Sequence, residues 1–154
     1  MKRVLWIEDN ALSDLQHVVG PVLVEGRYDL VIAENASEGI AQIMDGDNSF
    51  DAVIVDVRLP PGDDPRWIKL YRDGGENRTN ARLGLEIIRL LLLPNAGDKH
   101  ERIPDWVKVA KFAIFTVESQ REVQKALETL NVVYEQKTAQ TSTRVILEIL
   151  EKLS

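Results

Sequence analysis

Five short apolar runs, rich in β-branched and aromatic residues, recur along the chain. These runs are 4–7, 30–33, 52–55, 112–115 and 132–134. The hydrophobicity of each run is continuous rather than alternating, which is typical of strands covered on both faces in a parallel sheet. The sequence therefore predicts five buried strands.

Segments with helical spacing of apolar residues separate these strands. The first follows Asn10 and is predicted to be interrupted at Gly20–Pro21, because proline removes a helical hydrogen bond. Two others open at capping boxes, 35–38 and 119–122. The last two show an apolar face over 81–93, where Pro94 stops the helix, and over 145–153. Because strands and helices alternate five times, we predict a doubly wound α/β fold with helices on both faces of the sheet.

Two connections exceed the usual two to six residues, at about 60–80 and about 95–105. We call the first of these the extension. With its flanking residues it runs from Arg58 to Arg82, and this segment holds six basic and four acidic residues. It also holds an apolar group that a solvated loop rarely exposes. The members of that group are Trp67, Ile68, Leu70 and Tyr71. We predict that the extension controls partner binding or access to a site, and that shortening it leaves the fold intact.

Composition narrows the class of protein. The 154 residues include no cysteine and two histidines, which excludes thiol nucleophiles and cysteine zinc sites. The net charge of -6 opposes direct binding to nucleic acid or to an anionic membrane. No apolar run approaches the ~20 residues of a membrane span, and the amino terminus has no signal-peptide core. We therefore expect a cytoplasmic protein.

The residues that follow the predicted strands indicate the chemistry, since ligands bind at the carboxyl ends of parallel strands. These residues are Glu8, Asp9, Asp56, Thr116 and Lys137. Carboxylates brought this close repel one another, which favours a hard divalent cation, and Mg²⁺ suits such oxygen ligands. A cation, a lysine and a hydroxyl around a nucleophilic carboxylate predict a site of phosphoryl transfer.

The sequence resembles the receiver domain of chemotaxis-type response regulators in two-component signalling. The matching segments, in order, are 4–10, 51–60, 84–86, 115–116 and 134–137. The resemblance implies a flavodoxin-like fold with the strand order 2-1-3-4-5. It also implies that 1–154 forms a single receiver domain.

The resemblance further implies a role for each matching residue. Asp56 would accept a phosphoryl group from a histidine kinase or phosphotransfer protein in a phosphorelay. Asp9 and Asp56, with the backbone carbonyl of Arg58, would ligate Mg²⁺, and Glu8 would act through water. Lys137 would pair with the phosphoryl group.

Two further residues match the conformational switch of such domains. Thr116 would move to hydrogen-bond the phosphoryl group, and Tyr134 would then rotate inward. The output would pass to a protein partner or to an output domain that this sequence lacks. Two positions depart from the family pattern: Val117 stands where a small residue is usual, and Thr138 where proline is usual. We expect the bulk of Val117 to slow phosphoryl exchange.

Two other classes of function remain open at this point. One is a receiver-like interaction module that works independently of phosphorylation. The other is an enzyme that turns over a substrate. Aspartate-nucleophile phosphatases need a second aspartate where this chain has Arg58, and nucleotide hydrolases need a phosphate-binding loop that is absent. We therefore expect no enzyme beyond one that promotes its own phosphorylation and dephosphorylation.

Overall fold

The computed structural model describes residues 1–73, 82–93 and 102–154. Five parallel strands form one sheet in the order β2-β1-β3-β4-β5. The strands are β1 (Lys2–Ile7), β2 (Tyr28–Ala33), β3 (Ala52–Val55), β4 (Lys111–Thr116) and β5 (Val132–Gln136). All five predicted strands and the order 2-1-3-4-5 are therefore confirmed.

Helices cover both faces of this sheet, as predicted. They are α1 (Gln16–Glu25), α2 (Ala36–Met44), α3 (Pro65–Asp73), α4 (Leu83–Leu92), α5 (Gln120–Leu127) and α6 (Val145–Leu153). Alternate strand residues serve the two layers: Leu5 and Ile7 pack with α2, α3 and α4, whereas Val4 and Trp6 pack with α1 and α6. The sheet is therefore buried on both sides, which explains the continuous hydrophobicity of its strands.

The prediction for the first helix was wrong at both ends. Turns occupy 9–15, and α1 then runs through Gly20 and Pro21 rather than stopping there. Pro21 removes one intrahelical hydrogen bond. Val18 and Val22 lie on either side of the proline and are fully buried, so the packing of this helix against the sheet outweighs that loss.

The two predicted capping boxes have different outcomes. The Asn35 side chain accepts a hydrogen bond from the backbone N–H of Glu38 at 2.8 Å, as predicted. Ser119 precedes α5 at the predicted position, but its side chain makes no capping hydrogen bond. Helix α5 is held instead by its apolar face, through the fully buried Val123.

The extension contains a helix that the sequence analysis treated as loop. Asp64 caps this helix, α3, because its Oδ1 accepts a hydrogen bond from the N–H of Arg66 at 2.9 Å, and Pro65 occupies the first position. Trp67 is 2% exposed and belongs to the main hydrophobic core, and Tyr71 packs against the same core. Trp67 and Tyr71 thus serve packing, which counts against the expectation that shortening the extension leaves the fold intact.

The extension is also fixed to the start of α2. The carbonyl groups of Pro60 and Pro61 accept hydrogen bonds from the N–H groups of Ala36 and Ser37, at 3.0 and 3.1 Å. These N–H groups belong to the first turn of a helix and have no intrahelical partner. The first residues of the extension are therefore bonded to the first turn of α2. The remainder of the extension, 74–81, lies outside the described residues.

The second predicted excess, 95–105, lies mostly outside the described residues. It leads into a short 3-10 helix, Asp105–Lys108, whose Trp106 packs edge-on against Phe50 with ring centroids 5.5 Å apart. Within the described ranges, none of the helices has the length and apolar character needed to cross a bilayer.

Candidate functional site

Backbone pairing brings the strand ends of the sheet into line. The N–H of Asp56 donates to the carbonyl of Ile7 at 3.1 Å, and the N–H of Lys137 donates to the carbonyl of Thr116 at 2.7 Å. The residues that follow β1 and β3 are therefore neighbours, as are those that follow β4 and β5, and all of them leave the sheet at the same carboxyl edge.

Three carboxylates meet at this edge. One oxygen from each of Glu8, Asp9 and Asp56 lies within 4.8 Å of the others. Glu8 is fully buried and Asp56 is 5% exposed, whereas Asp9 is open to solvent. The Nζ of Lys137 donates to Glu8 Oε1 at 2.5 Å and to Asp56 Oδ2 at 2.9 Å. One ammonium group thus bridges the two buried carboxylates.

The cluster is short of positive charge. Burial raises the pKa of Glu8 to about 9, and the neighbouring Asp56 adds to this rise while Lys137 opposes it. Burial and Asp56 also raise the pKa of Asp9. Burial acts against the charged form of Lys137, but Asp56 and Glu8 outweigh it and raise the pKa of the ammonium group. The site therefore binds protons more tightly than free carboxylates do, and it favours any added cation.

A divalent cation fits the donor atoms of this cluster. Glu8 Oε2 and Asp56 Oδ1 are buried and have no hydrogen-bond partner. Buried polar atoms without partners are costly, and a cation beside them, reached directly or through water, would remove that cost. Carboxylate oxygens in small number, with an open side that leaves room for water, are the ligands that Mg²⁺ prefers.

An open cavity gives access to the cluster. Its rim includes Val117, whose side chain is 60% exposed, and the side chain of Asp14. The residues that line the cavity are Glu8, Asp9, Asn10, Asp14, Leu15, Asp56, Arg58, Val117, Lys137, Thr138 and Ala139. Both residues that depart from the family pattern, Val117 and Thr138, therefore border the cavity of Asp56.

The two proposed switch residues make their hydrogen bonds to Glu118. Thr116 is fully buried at the end of β4, and its Oγ1 accepts a long hydrogen bond of 3.4 Å from the N–H of Glu118. The hydroxyl of Tyr134 donates to the backbone carbonyl of Glu118. Burial, together with the nearby carboxylate of Glu122, raises the pKa of Tyr134.

Helix α4 begins directly beside Asp56. A Cβ at Gly84 would lie 1.8 Å from the carbonyl oxygen of Asp56, and the N–H of Gly84 donates to the carbonyl of Val57 at 2.9 Å. Such a close approach requires glycine. The first turn of α4 therefore supports the backbone that presents the Asp56 carboxylate.

Comparison with solved structures gives whole-chain matches. CheY4 of Vibrio cholerae, a chemotaxis response regulator, matches with a TM-score of 0.62 and 17% identity, over 100% of this chain and 99% of that one. A receiver domain protein from Methanospirillum hungatei matches with a TM-score of 0.59 and 21% identity, over 99% and 94%. The response regulator TrrA of Thermotoga maritima, solved in complex with Mg²⁺ and BeF, matches with a TM-score of 0.57 and 20% identity over both whole chains.

The chain has the receiver-domain fold. Comparison of the sequence with family models and with curated proteins finds no match. The receiver fold here is therefore visible in the three-dimensional structure and in a few short motifs, at identities near one residue in five.

Within this receiver fold, the predicted site residues divide into two groups, apart from Arg58, which lines the cavity. Glu8, Asp9, Asp56 and Lys137 form one connected cluster. Thr116 and Tyr134 form a second group, which meets at the backbone of Glu118 rather than at the carboxylates.

Burial of Glu118 and its pairing with Arg82 were not predicted from the sequence. Glu118 is 4% exposed and forms ion pairs with Arg58 at 2.7 Å and with Arg82 at 3.5 Å. An acidic residue two positions after the end of a buried strand was the available signal. That signal does not distinguish a buried carboxylate from a solvated one, because the burial depends on arginines from distant segments.

Proposed function

We propose that this chain is a single receiver domain of a two-component phosphorelay. Its Asp56 accepts a phosphoryl group from a histidine kinase or phosphotransfer protein. The observation that carries the proposal is the position of Asp56, buried at a strand end between the ammonium of Lys137 and the carboxylates of Glu8 and Asp9. The receiver fold of the whole chain supports the same conclusion.

Asp56 is suited to act as the nucleophile. Its Oδ2 is bound by Lys137, whereas Oδ1 is without a hydrogen-bond partner and is available to attack. The Oδ1–P bond forms as the P–N bond of a phosphohistidine donor breaks, and the leaving imidazole nitrogen takes the bonding pair. Lys137, which Asp56 and Glu8 keep protonated, then pairs with the phosphoryl oxygens.

Asp9 and Asp56, with the backbone carbonyl of Arg58, are the proposed ligands of Mg²⁺, and Glu8 acts through water. The ion supplies neutralisation of the negative charge on the phosphoryl oxygens. Asp9 is the most exposed of the three carboxylates and lines the open cavity, so it would hold a cation that enters from solvent. TrrA, the match solved with Mg²⁺ and BeF, supports this assignment by analogy of fold.

The output of such a domain is a shift between two conformations that a protein partner or an output domain distinguishes. In the proposed switch, Thr116 turns to the phosphoryl group and Tyr134 moves inward. The proposed setting is the cytoplasm, with protein partners rather than nucleic acid or membrane, as the net charge of -6 favours. The domain promotes its own phosphorylation and does not turn over a separate substrate.

Intact-mass measurement after incubation with Mg²⁺ and phosphoramidate tests this proposal. We expect a gain of ~80 Da, the mass of one phosphoryl group, in the parent and none in Asp56→Asn. Asp51→Asn is the matched control. Asp51 directly precedes β3, at the end opposite to Asp56, so the Asp51→Asn protein should gain the same mass as the parent. A parent that gains no mass, in the presence of Mg²⁺ and excess donor, would favour an interaction module that works independently of phosphorylation.

A further inference from the structure

The chain directly after Lys137 is held by a closed set of hydrogen bonds. The N–H of Thr138 donates to Thr141 Oγ1 at 2.8 Å, and the N–H of Thr141 donates back to the carbonyl of Thr138 at 3.2 Å. The N–H of Gln140 donates to Thr138 Oγ1, also at 3.2 Å. We name residues 138–141 the threonine turn. Three hydrogen bonds within four residues give this turn one defined conformation.

Both peptide groups that flank the Cα of Lys137 are therefore hydrogen-bonded. The N–H of Lys137 belongs to the preceding group and donates to the carbonyl of Thr116 at 2.7 Å. The N–H of Thr138 belongs to the following group and donates to Thr141. Each peptide group is planar, so a residue has only two soft backbone dihedrals, and holding both groups restrains the two. The direction in which the Lys137 side chain leaves the backbone is set in this way.

The restraint replaces one that proline supplies in the family pattern. A proline ring fixes its own φ and biases the preceding residue toward extended backbone, but proline has no N–H to donate. In this chain Thr138 stands at that position, and its N–H is the group that Thr141 binds. The threonine turn thus restrains the backbone at Lys137 through a hydrogen bond to a side chain four residues further along.

Helix α6 holds Thr141 in place. The helix begins at Val145, and both Val145 and Ile146 are buried in the core on the α1 side of the sheet. The N–H of Val145 donates to the carbonyl of Ser142 at 3.1 Å, so the residue after Thr141 is already bonded to the start of the helix. The hydroxyl that binds Thr138 is therefore connected to the core by a short path.

The ammonium group at the other end of Lys137 has a defined place. It bonds Glu8 and Asp56, and its Nζ lies 5.4 Å from the ring centre of the fully buried Phe115. Holding a long side chain in one place costs conformational entropy, and that cost is smaller when the backbone is already fixed. A restrained backbone at Lys137 therefore prepares its ammonium group for a ligand before the ligand arrives.

We propose that Thr141 is a positioning residue, whose hydroxyl holds the peptide group after Lys137 and so prepares the ammonium group to pair with a phosphoryl group on Asp56. Thr138 takes part through its N–H and closes the turn with its carbonyl and its hydroxyl. The inference deepens the proposed function and rests on it.

The test compares Thr141→Val, which keeps the shape of threonine but removes the hydroxyl, with Thr141→Ser, which keeps the hydroxyl. The first readout is hydrogen exchange of the Thr138 amide without Mg²⁺ or phosphoryl analogue, which we expect to be about tenfold faster in Thr141→Val. The second is the affinity for beryllofluoride with Mg²⁺. We expect this affinity to fall about fivefold in Thr141→Val and to stay within about twofold of the parent in Thr141→Ser.

Thr143→Val is the matched control for the loss of a hydroxyl. Thr143 is exposed, lies outside the threonine turn, and its hydroxyl makes no hydrogen bond within the described part of the chain. We expect both readouts to match the parent in this variant.

A double variant shows whether Thr141 acts through Lys137. In Lys137→Met we expect Thr141→Val to cause no further loss of beryllofluoride affinity, because a positioning residue has no effect once the group it positions is absent. The same loss in both backgrounds would overturn the inference, as would equal losses in Thr141→Ser and Thr141→Val. The comparison of serine with valine decides the question if Lys137→Met does not fold.

The parent protein separates this inference from the proposed function. A parent that binds no beryllofluoride with Mg²⁺ would overturn the proposed function and the inference that rests on it. A parent that binds beryllofluoride, together with parent-like affinity in Thr141→Val, would overturn the inference alone.

Discussion

The Nζ of Lys137 lies 2.9 Å from Oδ2 of Asp56, although 81 positions separate the two residues in the sequence. The same Nζ bonds Glu8, so one ammonium group bridges two buried carboxyl groups. Removal of one partner from a buried ion pair leaves the other charge uncompensated, which is strongly destabilising.

We therefore expect Lys137→Met to lower the free energy of unfolding by about 3 kcal/mol at pH 8. Lys152→Met is the control, because Lys152 pairs with Glu135 at the surface and such pairs contribute less than about 1 kcal/mol. Urea denaturation of both variants measures the difference. Mg²⁺ should restore part of the loss in Lys137→Met, and equal losses in the two variants would contradict the proposed bridging role.

Metal affinity should depend on Asp9 more than on other carboxylates of the cavity. We expect Asp9→Asn to weaken Mg²⁺ binding at least about tenfold, since it removes one charged ligand from a site with few. Asp14→Asn is the matched control, because Asp14 lines the same cavity but lies outside the carboxylate cluster. Calorimetric titration of the parent, Asp9→Asn and Asp14→Asn with Mg²⁺ measures the three affinities. Equal affinity in Asp9→Asn and the parent would exclude Asp9 as a ligand.

The raised pKa of Glu8 has a consequence for the pH dependence of stability. The folded protein keeps a proton on Glu8 up to a pKa of about 9, whereas the unfolded chain releases it near the ordinary 4.5. Because the folded state binds more protons between these values, the stability contributed by this proton falls as pH rises through that window.

Glu8→Gln removes this titration. We expect the free energy of unfolding of the metal-free parent to fall, relative to that of Glu8→Gln, by up to about 1.4 kcal/mol per pH unit between pH 5.5 and 8.5. Urea denaturation in EDTA across this range measures both proteins. Parallel curves for parent and variant would show that Glu8 does not hold the extra proton.

Val117 should restrict the access of a phosphodonor or of water to Asp56. Its side chain borders the cavity and is 60% exposed, so it stands in the path of a donor or of water. We expect Val117→Ala to speed both phosphorylation and dephosphorylation by about threefold, which is less than 1 kcal/mol of barrier. Val109→Ala, at an exposed valine outside this cavity, is the control. Identical rates in all three proteins would show that the cavity is open with valine present.

The extension should prove essential to the core. Trp67→Ala is expected to lower the free energy of unfolding by about 3 to 5 kcal/mol, because it empties a site that is 2% exposed. Leu70→Ala, on the same helix but 39% exposed, should cost much less. Replacement of Pro61–Asn80 by a short turn should destabilise the protein at least as much as Trp67→Ala does. A shortened protein that is as stable as the parent would show that the extension does not contribute to the stability of the core.

The strands could be predicted because burial on both faces leaves a signal inside each strand. Each run needs only its own residues to be recognised, as in β3, where all four residues are buried. The carboxylate cluster could be predicted for a related reason, since the ends of parallel strands meet at one edge. In both cases, local sequence and a simple rule of topology suffice.

Helix α3 was missed although its signals were present. Asp64 is an effective N-cap, Pro65 suits the first helical position, and Trp67 and Tyr71 stand four residues apart on one face. The many glycines, prolines and charges on both sides of this helix are typical of a loop, and for that reason the helix was not predicted. The burial of Trp67 depends on tertiary packing against the sheet, which no local pattern shows.

Helix α1 and Glu118 were beyond local reasoning for a different reason. The proline in α1 is tolerated because buried valines on that helix pack against the sheet. Glu118 is buried because Arg58, 60 positions away, and Arg82 meet it in space. A single sequence gives the identities of such residues, but the pairing of distant charges is a property of the assembled fold.

The close approach of Gly84 to Asp56 also makes this domain suited to protein engineering. The main chain departs after Asp56 and comes back against its carbonyl, so both ends of the extension lie beside Asp56. A ligand-binding peptide grafted after Asp73 and before Arg82 would keep Trp67 in the core and the ion pairs of Glu118 with Arg58 and Arg82 in place. Its folding on a ligand would act on the backbone on both sides of the graft, next to Asp56, so the domain could be converted into a sensor of that ligand.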